Sequence, residues 1–196
     1  MNKIASFLRV MAAALLALAA ASCHSNRPVI PEEALQAPAH ARFFTSSNIW
    51  YENPQAIPVP SVLKGKIIPF GTEISFISAD QEGLKFKDVE TGAVYSMEFD
   101  QKLMMMSMED FIKKTFSTKS SDDISKDLRP STYEKLKRGV VEEGMTRDMV
   151  LLAYGYPSPA RTAALSADTW IYWDSTLKSR YVVFKGDKVI SAFDFQ

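Results

Sequence analysis

The sequence predicts an α+β protein. A small antiparallel β domain spans residues 44–103, and a helix–helix–three-stranded antiparallel sheet unit spans residues 131–196. Three observations predict this. Apolar and polar residues alternate at the strand period in short runs between residues 48 and 99. Helix caps and stops are concentrated between residues 107 and 157. Alternating runs then return after Trp170, the last two joined by Gly186-Asp187.

The chain opens on a secretory signal. Lys3 and Arg9 precede a short apolar run from Val10 to Ala21, which ends in small residues. A spanning helix needs roughly 18 or more consecutive apolar residues, so this run is too short to cross a bilayer. Ala20-Ala21-Ser22-Cys23 resembles a bacterial lipobox, although Ala20 sits where Leu is commonest. The resemblance implies a signal peptide over residues 1–22 and acylation of Cys23, which becomes the new N-terminus. Cys23 is the one cysteine of the chain, so no intramolecular disulfide can form, and acylation removes an otherwise unpaired thiol. Several acyl chains, at about 0.8 kcal/mol per buried methylene, give lasting attachment where a single chain is marginal. The residue after the cysteine is His24, not the Asp that retains lipoproteins at the inner membrane of enteric bacteria. By that analogy the destination is the periplasmic face of the outer membrane.

Removal of residues 1–22 takes Lys3 and Arg9 and leaves 21 basic against 23 acidic residues. That balance carries no basic footprint for nucleic acid. A hydrophobic fraction of 46% with 11% aromatics supports a packed core of one medium or two small domains. The two histidines, His24 and His40, both lie near the anchor. The globular part therefore lacks His and Cys, which excludes Ser-His-Asp and Cys-His nucleophiles and zinc sites built on imidazole or thiolate. No cofactor motif and no small-molecule site is recognisable.

Residues 23–43 are Pro- and Ala-rich and read as a tether with a span of roughly 25 Å, the domain beginning near Phe43 and Phe44. A strand is expected near Asn48–Tyr51. Thr72-Glu73-Ile74-Ser75-Phe76-Ile77-Ser78, Leu84-Lys85-Phe86-Lys87-Asp88-Val89 and Ala93 to Phe99 supply three more, with turns at Gly83 and Gly92. Four or five short antiparallel strands of this spacing resemble an SH3-like barrel. Residues 104–130 form a helix and linker. The Met-rich run Met104–Met108 reads as a domain junction, since methionine is an adaptable filler. Ser107 caps a helix from Met108 to about Phe116, with Asp110 in its first turn. The polar stretch from Ser117 to Asp127 reads as a linker or mobile loop. Ser131-Thr132-Tyr133-Glu134 has the spacing of a capping box and opens a helix ending near Gly139.

In residues 144–157, Thr146 is an N-cap, Val150, Leu151 and Tyr154 make an apolar stripe, Gly155 is placed for a left-handed helix stop, and Pro157 prevents continuation. Trp170-Ile171-Tyr172-Trp173, Tyr181-Val182-Val183-Phe184 and Val189-Ile190-Ser191-Ala192-Phe193 follow as a meander. The ordered set Gly144, Met145, Thr146, Val150, Gly155, Pro157, Trp170, Tyr172, Val182, Phe184 and Val189 resembles the SmpA/OmlA (BamE-like) family of outer-membrane lipoproteins. That family serves the barrel-assembly machinery, and the resemblance covers about residues 131–196. It implies the helix–helix–sheet fold, outer-membrane localisation and, as possible partners, barrel-assembly components. The tether, the β domain and the long 156–168 loop depart from the family's short members. Trp170 and Tyr172 are expected against the helices and Ile171 and Trp173 on the opposite sheet face.

The leading expectation is a non-catalytic, lipid-anchored scaffold or accessory subunit for outer-membrane protein assembly or envelope integrity. Its partners are the membrane, through acylated Cys23, and envelope proteins at Trp173. A second reading is a peptidoglycan- or peptide-binding module using Trp50 and Tyr51 of the β domain. A third, an inhibitor of a secreted hydrolase, follows from a likeness of the helix–helix–sheet unit to β-lactamase-inhibitor domains. A carboxylate enzyme using Glu142 and Glu143 is the least natural, because adjacent acidic residues before a turn are usually solvated.

Overall fold

The structure, a computed structural model, describes residues 27–60, 62–174 and 178–195. The signal peptide, Cys23 and His24 lie outside the described residues. The fold is α+β: a six-stranded mixed half-barrel sheet, several short helices and a C-terminal three-stranded antiparallel sheet. Among the described residues no helix is long and apolar enough to cross a membrane.

Strands β1 (Phe43–Thr45), β2 (Ile49–Tyr51), β3 (Ile57–Val59), β4 (Lys66–Ile68), β5 (Glu73–Ala79), β6 (Gly83–Asp88), β7 (Val94–Phe99) and β8 (Phe116–Ser117) belong to the first part of the chain. Six of them form one sheet in the order β3-β7-β6-β5-β1-β8. The expected alternation holds in β6, where Leu84, Phe86 and Asp88 are buried and Lys85 and Lys87 exposed. Asp88 is tolerated inside because its carboxylate accepts from the N–H groups of Glu90 and Thr91, closing the turn to β7. In β5 the alternation breaks at a bulge between Phe76 and Ser78, which leaves Ile77 exposed and Ala79 buried.

Two expectations about this region are corrected. The sheet is mixed and not antiparallel throughout, because β3 pairs parallel with β7, Ile57 beside Met97. The strand at Ile49–Tyr51 exists but leaves the main sheet and pairs with β4 in a separate ribbon, Ile49 opposite Ile68. Parallel strands need a long crossover. The excursion through β4, β5 and β6 supplies it.

The segment read as a tether is ordered against the sheet from Val29 onward. The Val29 N–H donates to the Ala79 carbonyl at 2.8 Å, a short helix α1 (Pro31–Ala34) follows, and Leu35, Ala37 and Ala41 pack on the core. Low periodicity concealed this, since isolated apolar residues carry the contact. Helix α2 (Gln101–Met104), capped by Asp100, leads into α3 (Met108–Thr115), capped by Ser107 as expected. Met108, Ile112 and Phe116 are fully buried, each worth about 1.5–3 kcal/mol. The Phe116 ring meets Phe76 and Phe86 edge-on at 5.1 and 5.5 Å.

The polar linker contains helix α4 (Ser121–Ser125), opened by a true capping box in which Ser120 and Asp123 satisfy each other's backbone N–H groups. The box expected at Ser131 does not form. Pro130 occupies the first turn of α5 (Pro130–Lys137), Arg129 is the N-cap, and Ser131 falls inside the helix. Proline's fixed φ and missing N–H suit that position, so it overrides the Ser-x-x-Glu signal. Helix α6 (Arg147–Tyr154) starts where expected, the Thr146 hydroxyl accepting from Met149 N. Gly155 ends it at φ 75° and ψ −168°, an extended positive-φ conformation and not the left-handed helical one expected.

Strands β9 (Thr169–Trp173), β10 (Ser179–Lys185) and β11 (Lys188–Phe195) form the terminal meander in the order β11-β10-β9. Gly186 has φ 61° while Asp187 stays at negative φ, matching the expected Gly-first turn. Trp170, Tyr172, Val182, Phe184 and Val189 face α5 and α6 in a second core. Leu63 and Phe70, from the first part of the chain, also enter it, so the two cores interleave in sequence.

Candidate functional site

The seam between the two cores is built on the β2 segment. Asn48, 3% exposed, donates Nδ2 to the carbonyls of Leu136 at 2.7 Å and Ala153 at 3.1 Å, and its Oδ1 accepts from Phe70 N at 3.0 Å. One amide thus bridges carbonyls at the ends of α5 and α6, adding a donor to those that the Gly139 N–H and the Trp50 N–H already give them. The Trp50 N–H donates to the same Ala153 carbonyl at 3.0 Å, and its ring meets Tyr154 edge-on. Tyr51 packs edge-on against Tyr95 at 5.4 Å. Both aromatic candidates of the β domain are thus half-buried and engaged with other rings of the molecule.

Deeper in the seam, a cavity of about 50 Å³ lies among residues including Asn48, Met97, Phe111, Tyr154 and Tyr172. Ligand clefts run from roughly 300 Å³ upward, so this space is a packing defect and not a substrate chamber. Burial pushes the Tyr172 phenol well above its ordinary pKa, and its hydroxyl donates to the Gly155 carbonyl at 3.0 Å. Burial also raises Tyr154, against the opposing pull of Arg180, which donates to the Tyr154 hydroxyl at 3.3 Å. Arg180 in turn grips Asp194 through two nitrogens, at 2.7 and 3.1 Å, and holds that carboxyl below the usual range. These groups are locked in structural pairs.

The seam opens outward into a groove of about 420 Å³ lined by Pro58, Val59, Pro60, Val62, Glu98, Phe99, Asp100, Leu103 and Trp173. The stretch around Val62 runs beside β9, and Leu63 N donates to the Trp173 carbonyl at 2.8 Å. Trp173 is half-buried on the outer sheet face, as the strand period predicts. Arg161 from the long loop lies 3.6 Å over its ring and bonds to the Ser179 hydroxyl. Leu103 at 48% exposure and Met105 at 71% stand at the junction beside it. The Met-rich run therefore divides: Met104 and Met108 are core, and Met105 is surface.

The remaining motif residues are structural in their contacts. Gly144 makes an exposed positive-φ turn, Met145 is buried with its sulfur near Glu142 N, and Val150 is fully buried. Pro157 is buried, and the Trp170 N–H donates to the Leu165 carbonyl at 3.2 Å. Glu142 pairs with Lys135 at 2.7 Å on the surface, and Glu143 is exposed. Among the described residues no group of three or more His, Cys, Asp or Glu side chains could hold a metal ion. Sequence reading missed Asn48, Arg161 and the groove residues Val59, Phe99 and Leu103. The N-cap spacing of Asp100 before Lys102 and Leu103 is the local signal that leads toward this place.

No family model, curated protein or solved structure matches the chain.

Proposed function

We propose that this chain is a non-catalytic, lipid-anchored protein of the bacterial outer membrane that binds and positions other envelope proteins. In this reading Cys23 carries the lipid, the C-terminal helix–helix–sheet unit is BamE-like, and the SH3 likeness extends to the β5–β6–β7 meander alone. The observation that carries it is the groove at Trp173. It is an open apolar surface at the junction of two halves that Asn48 and Trp50 join through hydrogen bonds to the Leu136 and Ala153 carbonyls. The lipobox-like Ala20-Ala21-Ser22-Cys23 supplies the anchor.

Packing from Val29 onward keeps the folded part close to the bilayer. Six residues lead from Cys23 to Val29, a reach of at most roughly 20 Å. A folded part held that close suits partners that are themselves in or on the membrane. Fractionation of cells expressing the native chain and Cys23→Ser tests the reading. Acyl label and outer-membrane recovery are expected for the native chain and neither for the variant. Equal recovery of both in the soluble periplasm would reject it.

A further inference from the structure

We propose that the groove at Trp173 takes an extended apolar–basic peptide segment of a partner protein. An apolar side chain would rest on the floor made by Val59, Phe99 and Trp173, and a Lys or Arg beside Glu98 and Asp100. The inference deepens the protein-binding reading above and rests on it.

Charge decides the class of occupant. The charged residues that line this groove are both acidic and both exposed. The other large grooves differ. One mixes Lys113, Lys114, Lys119 and Lys126 with Asp123, Asp127 and Asp148. Another mixes Arg42 and Lys137 with Glu73, Asp88 and Glu90. Both signs meet in those linings, whereas the lining of the Trp173 groove carries one sign, the Arg161 guanidinium that stacks on the Trp173 ring not being part of it. An anionic headgroup, a nucleic acid or an acidic peptide would meet like charge at its rim, while a cationic side chain would be drawn in.

Shape agrees. A volume of about 420 Å³ falls within the range of ligand clefts, and the floor is aromatic and aliphatic. A partly exposed Trp in such a setting is the residue type that most often dominates an interface. Strand β3 lies at the sheet edge beside the groove, which favours an extended occupant over a helical one. Leu103, half-exposed at the lip, can close on it.

The test uses the full lipidated protein in detergent micelles and three fluorescein-labelled hexapeptides: alternating Leu–Lys, Leu–Glu and Ser–Lys. Anisotropy titrations are expected to show the Leu–Lys peptide binding at least about tenfold more tightly than the other two. Trp173→Ala should weaken it about tenfold with the circular dichroism spectrum unchanged. Glu98→Lys should shift preference toward the Leu–Glu peptide, a result that simple loss of packing does not produce. Equal binding of the Lys and Glu peptides, no binding of Leu–Lys at millimolar concentration, or binding indifferent to both substitutions would overturn the proposal. So would a dimer dissolved by Glu98→Lys, which would assign the groove to a second copy. Envelope association measured in cells is read separately, so the groove can fail while the scaffold reading stands.

Discussion

Gly139 lies against the indole of Trp50: a Cβ built on Gly139 would come 2.1 Å from Cζ2 of that ring and 2.6 Å from Cη2. Gly139 also has φ 68°, where L side chains are strained. The end of α5 can approach β2 only because no side chain stands between them. Gly139→Ala is therefore expected to destabilise the fold by about 2–4 kcal/mol, summing backbone strain and overpacking. Urea unfolding monitored by tryptophan emission measures it. A change under about 0.5 kcal/mol would mean that the seam is not tightly packed.

Asn48→Ala removes three buried hydrogen bonds: the Phe70 N–H loses its acceptor, and the carbonyls of Leu136 and Ala153 fall back on the Gly139 and Trp50 N–H groups. The expected loss is about 2–4 kcal/mol, because three bonds go and the stranded N–H loses solvation as well as a partner. Asn48→Asp should be no better, since a carboxylate cannot donate to either carbonyl. Equilibrium unfolding of the two variants side by side checks both statements.

Arg147 ties the last hairpin to the long loop. It donates to the carbonyls of Gly186, Leu165 and Ala167 at 2.7–3.1 Å and lies 4.2 Å over the Phe184 ring. Lysine keeps the charge but not the planar fork. Arg147→Lys is expected to lower stability by about 1–3 kcal/mol and to speed proteolysis between residues 157 and 168. Limited proteolysis with mass analysis of the fragments reads this directly.

Alkali should unfold the protein through its buried phenols. Burial, with Tyr51 beside it, pushes Tyr95 up to about 12, and burial raises Tyr154 and Tyr172 also. Their unfolded value is about 10. A folded pKa above the unfolded one gives stability that is complete below about pH 10 and is lost as pH rises through the folded values. Urea midpoints across that range should fall above about pH 10, together with the appearance of tyrosinate absorbance. Midpoints that rise there would contradict the burial of these rings.

Much of the C-terminal half was legible because its signals are local. Thr146 caps, Gly155 and Pro157 stop, and Trp170 and Tyr172 alternate inward with period two. The same logic placed β5, β6 and β7 and the Ser107 cap. What escaped depended on distant partners. Val29 looks like linker until Ala79 is seen across from it, and Asn48 is an ordinary polar residue until two helix ends converge on it. Pro130 outweighed a four-residue capping signal by fitting the first helical turn better. Trp173 was placed on the correct face, but the groove around it needs Val59, Phe99 and Leu103 from three other segments, and no local pattern joins them.

The measurement that tests the central claim most directly is photo-crosslinking in intact cells, with a photoreactive residue at Leu103 and, as control, at exposed Glu90. The account expects a discrete adduct with an outer-membrane or periplasmic protein from position 103, weakened by Trp173→Ala and absent from position 90. Adducts of equal yield from both positions, or none from either, would contradict a binding role centred on this groove.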